Sequence, residues 1–290
     1  MKSKADVRKF LLLTTQRSGS TYIRLWLNSH PLVRCHSEIF LRPYGAADGF
    51  KIYCEESKYR RFINSMYGWR RFTRLGRFTR VPFKFFMKRI VDRFIDKLYN
   101  DPSFSAPWEN VADEFYFKYH PRVKLDEEKV VGFQLMYDQL DDYCSLQDWI
   151  ADQRVLIIHL IRQNALKMLL SRLMAEKTGD FQTISNKSAH TKIILDQQRV
   201  LKQLNAIVSE QEKMRKRFPG NPYLEITYEQ FFYNYPEEAK RIFHFLNLEN
   251  NKTGFPDLKK INPESLKDLI DNYEEIANLL HGTPYHKFLE

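Results

Sequence analysis

Eight residues, Thr14-Thr15-Gln16-Arg17-Ser18-Gly19-Ser20-Thr21, separate the apolar run Phe10-Leu11-Leu12-Leu13 from a helical pattern. Their types suit an anionic oxygen. A loop between a strand and a helix directs backbone N–H groups at a common centre, and the helix N-terminus adds partial positive charge. Gly19 permits a close approach or a positive φ. Ser18, Ser20 and Thr21 bring hydroxyls, and Arg17 brings a cation. A phosphate or a sulfate group is the natural occupant; the plainer alternative is an ordinary turn in which Ser20 caps the helix. The pattern GxxxxGK[ST] is absent, and no lysine precedes the Ser or Thr at the end of the loop, which argues against an ATP- or GTP-hydrolysing enzyme.

A second pair of residues stands far along the chain. Arg162 follows the run Val155-Leu156-Ile157-Ile158-His159-Leu160-Ile161, and Ser171 lies nine residues later. A guanidinium makes charge-assisted bonds to phosphate, and a hydroxyl near a helix start adds one more. Taken singly, Arg162 reads as a solvated strand-end residue and Ser171 as a helix-surface hydroxyl.

The elements that must position these groups follow from the apolar pattern. Phe10–Thr14 reads as a buried strand and Thr21–Ser29 as a helix with Tyr22, Leu25 and Trp26 on one side, ended by Pro31. Residues 155–161 form a nearly continuous apolar run rich in β-branched residues, the pattern of a parallel strand covered on both faces. A helix is predicted over Ala165–Ala175. Strand, loop and helix therefore occur twice, which predicts a parallel α/β sheet. Val130–Leu135 and Tyr223–Thr227 are further candidate strands. Lys192–Arg217, closed by Pro219-Gly220, and Pro236–Leu246, with proline at its start, are candidate helices.

With 290 residues, the chain is long enough for one large α/β domain, and its hydrophobic share of 43% excludes a disordered class. The net charge of +10 favours an anionic partner without choosing among nucleotide, nucleic acid, acidic glycan and membrane surface. Three cysteines, Cys35, Cys54 and Cys144, make no disulfide framework and no metal spacing, so a reducing compartment is the simplest expectation. The apolar run at Phe10 is too short for a signal peptide, and no uncharged stretch is long enough to span a bilayer. From Lys58 to Val91 there is no acidic residue, yet there are 11 Arg or Lys among many aromatics. That break in the α/β pattern marks residues 45–129 as an inserted, mostly helical subdomain of a single domain covering 1–290.

Arg17-Ser18-Gly19-Ser20-Thr21 after an apolar strand resembles the 5′-phosphosulfate loop of sulfotransferases, which carry (K/R)-S-G-(S/T)-(S/T) at such a junction. Leu160-Ile161-Arg162-Gln163-Asn164 with Ser171 is similar to the element that holds the 3′-phosphate in that family. The spacing is one residue longer than in the commonest version, with Gln163 as the apparent extra residue, so Asn164 or Arg172 could share the role. Leu224–Phe231 with Ile242–Leu246 resembles the family's YEDL and FLGL segment. The stretches Lys260–Pro263, Asn272-Tyr273-Glu274 and Gly282-Thr283 are similar to the tail of bacterial members. The resemblance implies a P-loop-like parallel sheet flanked by helices, 3′-phosphoadenosine 5′-phosphosulfate (PAPS) as sulfuryl donor with 3′,5′-adenosine bisphosphate (PAP) as product, and no obligatory metal. It also implies a hydroxyl-bearing acceptor, which could be a carbohydrate, a glycolipid or a small alcohol.

Such a transfer needs a base for the acceptor proton. In carbohydrate-type and bacterial members a Glu soon after the first helix is the proposed base, and His36-Ser37-Glu38-Ile39-Phe40 resembles that segment, which favours Glu38. His36 competes, because an unperturbed imidazole titrates near neutrality. His159, inside an apolar strand, reads as a hydrogen-bonded core residue. Gln134 stands where the resemblance leads one to expect lysine. A cytoplasmic protein is expected, with no nucleic-acid partner. The mixed basic and aromatic stretch from Arg60 to Arg89 reads as the insertion's own core with a solvated basic face. A lid over the acceptor or a peripheral membrane contact is the functional alternative.

Overall fold

The computed structural model describes residues 7–38, 40, 89–90, 92–94, 97, 130–142, 144–178, 192–249 and 265–290. Strand β1 (Arg8–Thr14) is the centre of a five-stranded parallel sheet. β3 (Val130–Met136) pairs with it on one side, with Phe10 opposite Gly132 and Thr14 opposite Met136. β4 (Leu156–Ile161) pairs on the other side, with Leu11 opposite Ile157 and Leu13 opposite His159. β2 (Val33–His36) lies outside β3, and β5 (Tyr223–Thr227) lies outside β4. The order is β2-β3-β1-β4-β5. All strands run parallel, and the winding changes sides at β1, with β2 and β3 on one side and β4 and β5 on the other, so the carboxyl ends of β1, β3 and β4 frame the crevice where open α/β sheets bind ligands.

Alternation along β1 explains the two layers of helices. Leu11 and Leu13 face one core with Val131, Phe133, Leu135 and Ile157, covered by α2 (Tyr137–Asp142) and α3 (Cys144–Asp152) through Leu140, Trp149 and Ile150. Phe10 and Leu12 face the other, with Ile158, Leu160 and Ile226. That core is covered by α1 (Ser20–Leu27) through Ile23 and Trp26. It is also covered by α6 (Tyr228–Tyr233) and α7 (Tyr235–Phe245) through Phe231, Ile242 and Phe243. Phe10 through Leu13 are fully buried. At about 1.5–3 kcal/mol for each buried apolar side chain, this one strand contributes strongly to holding the loop that follows it. A third cluster joins α4 (Ala165–Thr178) and α5 (Gln197–Arg215) to the C-terminal helices α8 (Leu266–Leu269) and α9 (Tyr273–Leu280) and to the last turn at His286–Leu289.

The expected parallel sheet flanked by helices is present, and the four expected strands fall within one or two residues of their predicted bounds. β2 is an element that the apolar pattern did not predict. The helix expected over Lys192–Arg217 is shorter, because Ile193 forms a parallel bridge with Ile270 and Asp196 caps the helix by accepting from the Gln198 N–H. The helix expected over Thr21–Ser29 begins at Ser20 and ends at Leu27. Residues 45–129, apart from the few near 89–97, lie outside the described residues, as do His190 and Lys260–Pro263. The basic and aromatic stretch therefore has no structural description beyond its last residues.

Candidate functional site: an anion loop and a half-buried carboxyl

The loop from Thr15 to Gly19 leaves the carboxyl end of β1 with two left-handed residues. Arg17 has φ 64° and Gly19 has φ 87°. The first is unusual for a residue with a side chain, and such conformations persist where surrounding contacts impose them. At Gly19 glycine is required twice over. A Cβ there would lie 2.3 Å from two ring carbons of Tyr228, in a conformation that side chains rarely adopt. Gly19, not Ser20, is the N-cap of α1. The turn capped by Ser20 is therefore not what the chain forms, and the first amides of α1 face the loop without a capping side chain. Ser18 is buried, its hydroxyl 2.6 Å from Thr14 Oγ1, and Thr14 Oγ1 in turn donates to the Leu160 carbonyl at 3.1 Å. Those hydroxyls hold the loop against β4. Thr21 is exposed at the start of α1, and Arg17 is half-buried.

The second pair of residues meets the first because β4 is the neighbour of β1. Arg17 Nε donates to Ser171 Oγ at 2.8 Å, and Arg162 Nη1 donates to the Arg17 carbonyl at 3.1 Å. Arg162 also lies over the Tyr228 ring, 5.1 Å from its centre, so one aromatic side chain backs both Gly19 and Arg162. Its Nε–H is buried and has no hydrogen-bond partner among the described residues. Burial lowers the Arg162 pKa, countered by Tyr228 and Glu229. A buried guanidinium with an unsatisfied donor is costly unless an acceptor arrives. Gln163 does not displace Arg162 from the loop. The Gln163 and Asn164 N–H groups donate to Glu229 at 2.9 and 3.2 Å, and Asn164 Oδ1 accepts from the Lys167 N–H at 2.9 Å. The extra residue is absorbed at the start of α4. Arg172 lies exposed, near Glu176.

Across the crevice, β2 ends at His36 and Glu38 follows. Glu38 Oε1 accepts from Gln134 at 3.3 Å and Oε2 from Gln139 at 3.3 Å. Burial raises its pKa to about 7, helped by Asp138 and opposed by Arg24 and by the Gln139 hydrogen bond. A carboxyl that titrates near neutrality exchanges protons efficiently there. His36 is buried in β2, opposite Phe133. His159 is a core residue, with Nε2 against the Tyr137 hydroxyl and Nδ1 against the Tyr223 hydroxyl. Burial lowers its pKa to about 4, opposed by Glu225, and raises those of both tyrosines.

Three contributors were given no site role by the sequence motifs. Gln134 donates to Ser20 Oγ at 3.0 Å as well as to Glu38, and so joins loop and carboxyl. Gln139 holds the other oxygen. Arg24, in the middle of α1, is buried and acts on Glu38. An apolar stripe that carries an arginine on its buried side was the available clue. Among the described residues no group of three or more His, Cys, Asp or Glu is placed to hold a metal ion, and no helix is long and apolar enough to cross a membrane.

No protein-family model and no curated protein matches the chain. Among solved structures, a sulfotransferase from Alicyclobacillus acidocaldarius is similar at 14% identity and a TM-score of 0.41, over 98% of this chain and 94% of that one. Sulfotransferase STF9 from Mycobacterium avium is similar at 13% identity and a TM-score of 0.41, over 94% of this chain and 75% of that one. Mouse sulfotransferase SULT7A1 complexed with PAP is similar at 12% identity and a TM-score of 0.39, over 98% and 87%. These three solved structures are sulfotransferases, at identities too low to assign a role to any residue.

Proposed function

We propose that the chain is a sulfotransferase that takes PAPS as donor and transfers its sulfuryl group to an acceptor hydroxyl. The observation that carries this reading is the junction of the two arms: Arg17 bonded to Ser171, and Arg162 bonded to the Arg17 carbonyl with a buried donor to spare. Two anion-binding elements so joined fit a ligand with phosphate groups at two places on one nucleoside. The loop has the donors that a 5′-phosphosulfate requires, in Arg17, Ser20, Thr21 and the amides around Gly19. Arg162 and Ser171 suit the 3′-phosphate. The donor, when bound, supplies the sulfuryl group and a leaving group that gains negative charge.

The chain's own residues then divide the work. Arg17 and the first amides of α1 stabilise charge that grows as the bond to the leaving group breaks. Glu38, held by two amides and titrating near neutrality, removes the proton from the acceptor hydroxyl. Positioning dominates such transfers, as it does for phosphoryl groups. A carbohydrate, a glycolipid and a small alcohol are all compatible with this chemistry, and no metal step is included. A cytoplasmic setting is part of the same proposal. The test is transfer of label from PAPS to a panel of neutral sugars, glycolipids and alcohols. Label in at least one acceptor, lost with the Arg17→Ala variant, is expected. Failure of the folded chain to bind PAP removes the reading.

A further inference from the structure

The amide side chain at position 134 stands where a cation was expected, and its surroundings give it a task. Gln134 is 2% exposed, on β3, and its single Nε2 donates to Ser20 Oγ at 3.0 Å and to Glu38 Oε1 at 3.3 Å. An amide nitrogen has two N–H groups, so both bonds can be made at once. Gln139 is 3% exposed and cannot turn its amide round freely. Its Oε1 accepts from the Met136 N–H at 3.1 Å, which leaves its NH₂ for Glu38 Oε2 at 3.3 Å. Each carboxylate oxygen is thus held by one neutral donor and keeps capacity for a further bond.

We propose that Gln134 and Gln139 are positioning residues that clamp the Glu38 carboxyl from both sides, Gln134 tying it to Ser20, the first residue of α1, where the anion loop ends. The inference rests on the reading of Glu38 as the base. A clamp of neutral donors orients the carboxyl while costing it little basicity. A lysine at 134 would orient it too, but would favour the ionised form and weaken it as a proton acceptor. The charged neighbours acting on Glu38 are Arg24 from α1 and Asp138 from α2, with opposite effects, and His36 stands two residues earlier on β2. The ties through Ser20 also make the site answer as a unit, because a shift of the loop moves Gln134 and with it one oxygen of Glu38.

The test reads Glu38 itself. The full chain, labelled with carbon-13 at glutamate carboxyls, is titrated by NMR, with E38Q identifying the resonance. Q134K is expected to lower the Glu38 midpoint by about one pH unit, and Q134M and Q139M to raise it by about half a unit. Circular dichroism confirms folding, and any one of the three folded variants suffices. Midpoints unchanged in the folded variants overturn the clamp, even if turnover falls, since a merely structural role predicts that pattern. In the assay with PAPS, Q134M is expected to lower kcat about tenfold with KM for PAPS nearly unchanged. A wild-type chain that neither binds PAP nor uses PAPS refutes the sulfotransferase reading, while the titration still decides the clamp.

Discussion

Replacing Glu38 by glutamine separates a desolvated base from an ordinary surface carboxylate through the pH dependence of stability. In the fold its pKa rises from 4.5 to about 7, first because of burial and then because of Asp138. The folded state therefore holds the proton more tightly than the unfolded chain does. Below about pH 4.5 both states carry it, and the group adds no pH dependence. Between 4.5 and about 7 the folded state retains a proton that the unfolded chain has lost, so stability falls as pH rises. Above about 7 the whole cost stands. At about 1.4 kcal/mol per pH unit the rise amounts to about 3 kcal/mol, and relaxation around a partly exposed carboxyl reduces this to about 1–3 kcal/mol. Glutamine cannot ionise. It also turns an NH₂ group toward Gln134 or Gln139, which costs about 1 kcal/mol at every pH. The slope is therefore the signature and the offset is not. Urea unfolding of both proteins from about pH 5 to about pH 8.5 should show the variant gaining about 1–2.5 kcal/mol on the wild type as pH rises. A difference that stays constant over that range would refute a half-buried carboxyl with a raised pKa. With PAPS and a working acceptor, the same variant should lose about 10²–10⁴ in turnover and keep PAP affinity.

Arg162→Ala should abolish the preference for PAPS over adenosine 5′-phosphosulfate, measured as the ratio of their kcat/KM values; a preserved ratio would move the 3′-phosphate role elsewhere. Gly19→Ala places a methyl 2.3 Å from Tyr228 at φ 87°, so thermal unfolding should show a loss of about 1–3 kcal/mol together with weaker PAP binding. A variant equal to the wild type would show that the loop is not held as described. Trp26→Ala, at a fully buried site packed against Phe231 and Phe243, should cost about 3–5 kcal/mol in urea and leave the Glu38 midpoint unmoved.

Much of this was legible in the residues. The runs at Phe10 and Val155 announce strands buried on both faces, and once β1 and β4 are neighbours, Arg17 and Arg162 must approach each other. The two motifs meet through the order of the strands, which neither motif shows alone. β2 was not legible, because its four residues include Arg34 and His36, and the burial of both polar side chains comes from the sheet and not from any local pattern. Glutamines carry no spacing signature, so Gln134 read as a missing cation until its two acceptors were seen together. Ser20 read equally well as a cap. What decided otherwise was Tyr228, two hundred residues along the sequence, whose ring leaves room only for glycine at the capping position. Arg24 belongs to no motif, and its burial, with its effect on Glu38, comes from packing.

On this reading the joined loop and Arg162 bind an adenosine nucleotide phosphorylated at both the 3′ and the 5′ position. Thermal unfolding of the full chain with PAP, with adenosine 5′-monophosphate and with ATP tests it most directly. At a concentration 100-fold above its Kd, PAP should add about 2.7 kcal/mol and raise Tm by roughly 5 °C, while the two nucleotides lacking a 3′-phosphate give little or no rise. No rise with millimolar PAP, or an equal rise with ATP, would contradict the account.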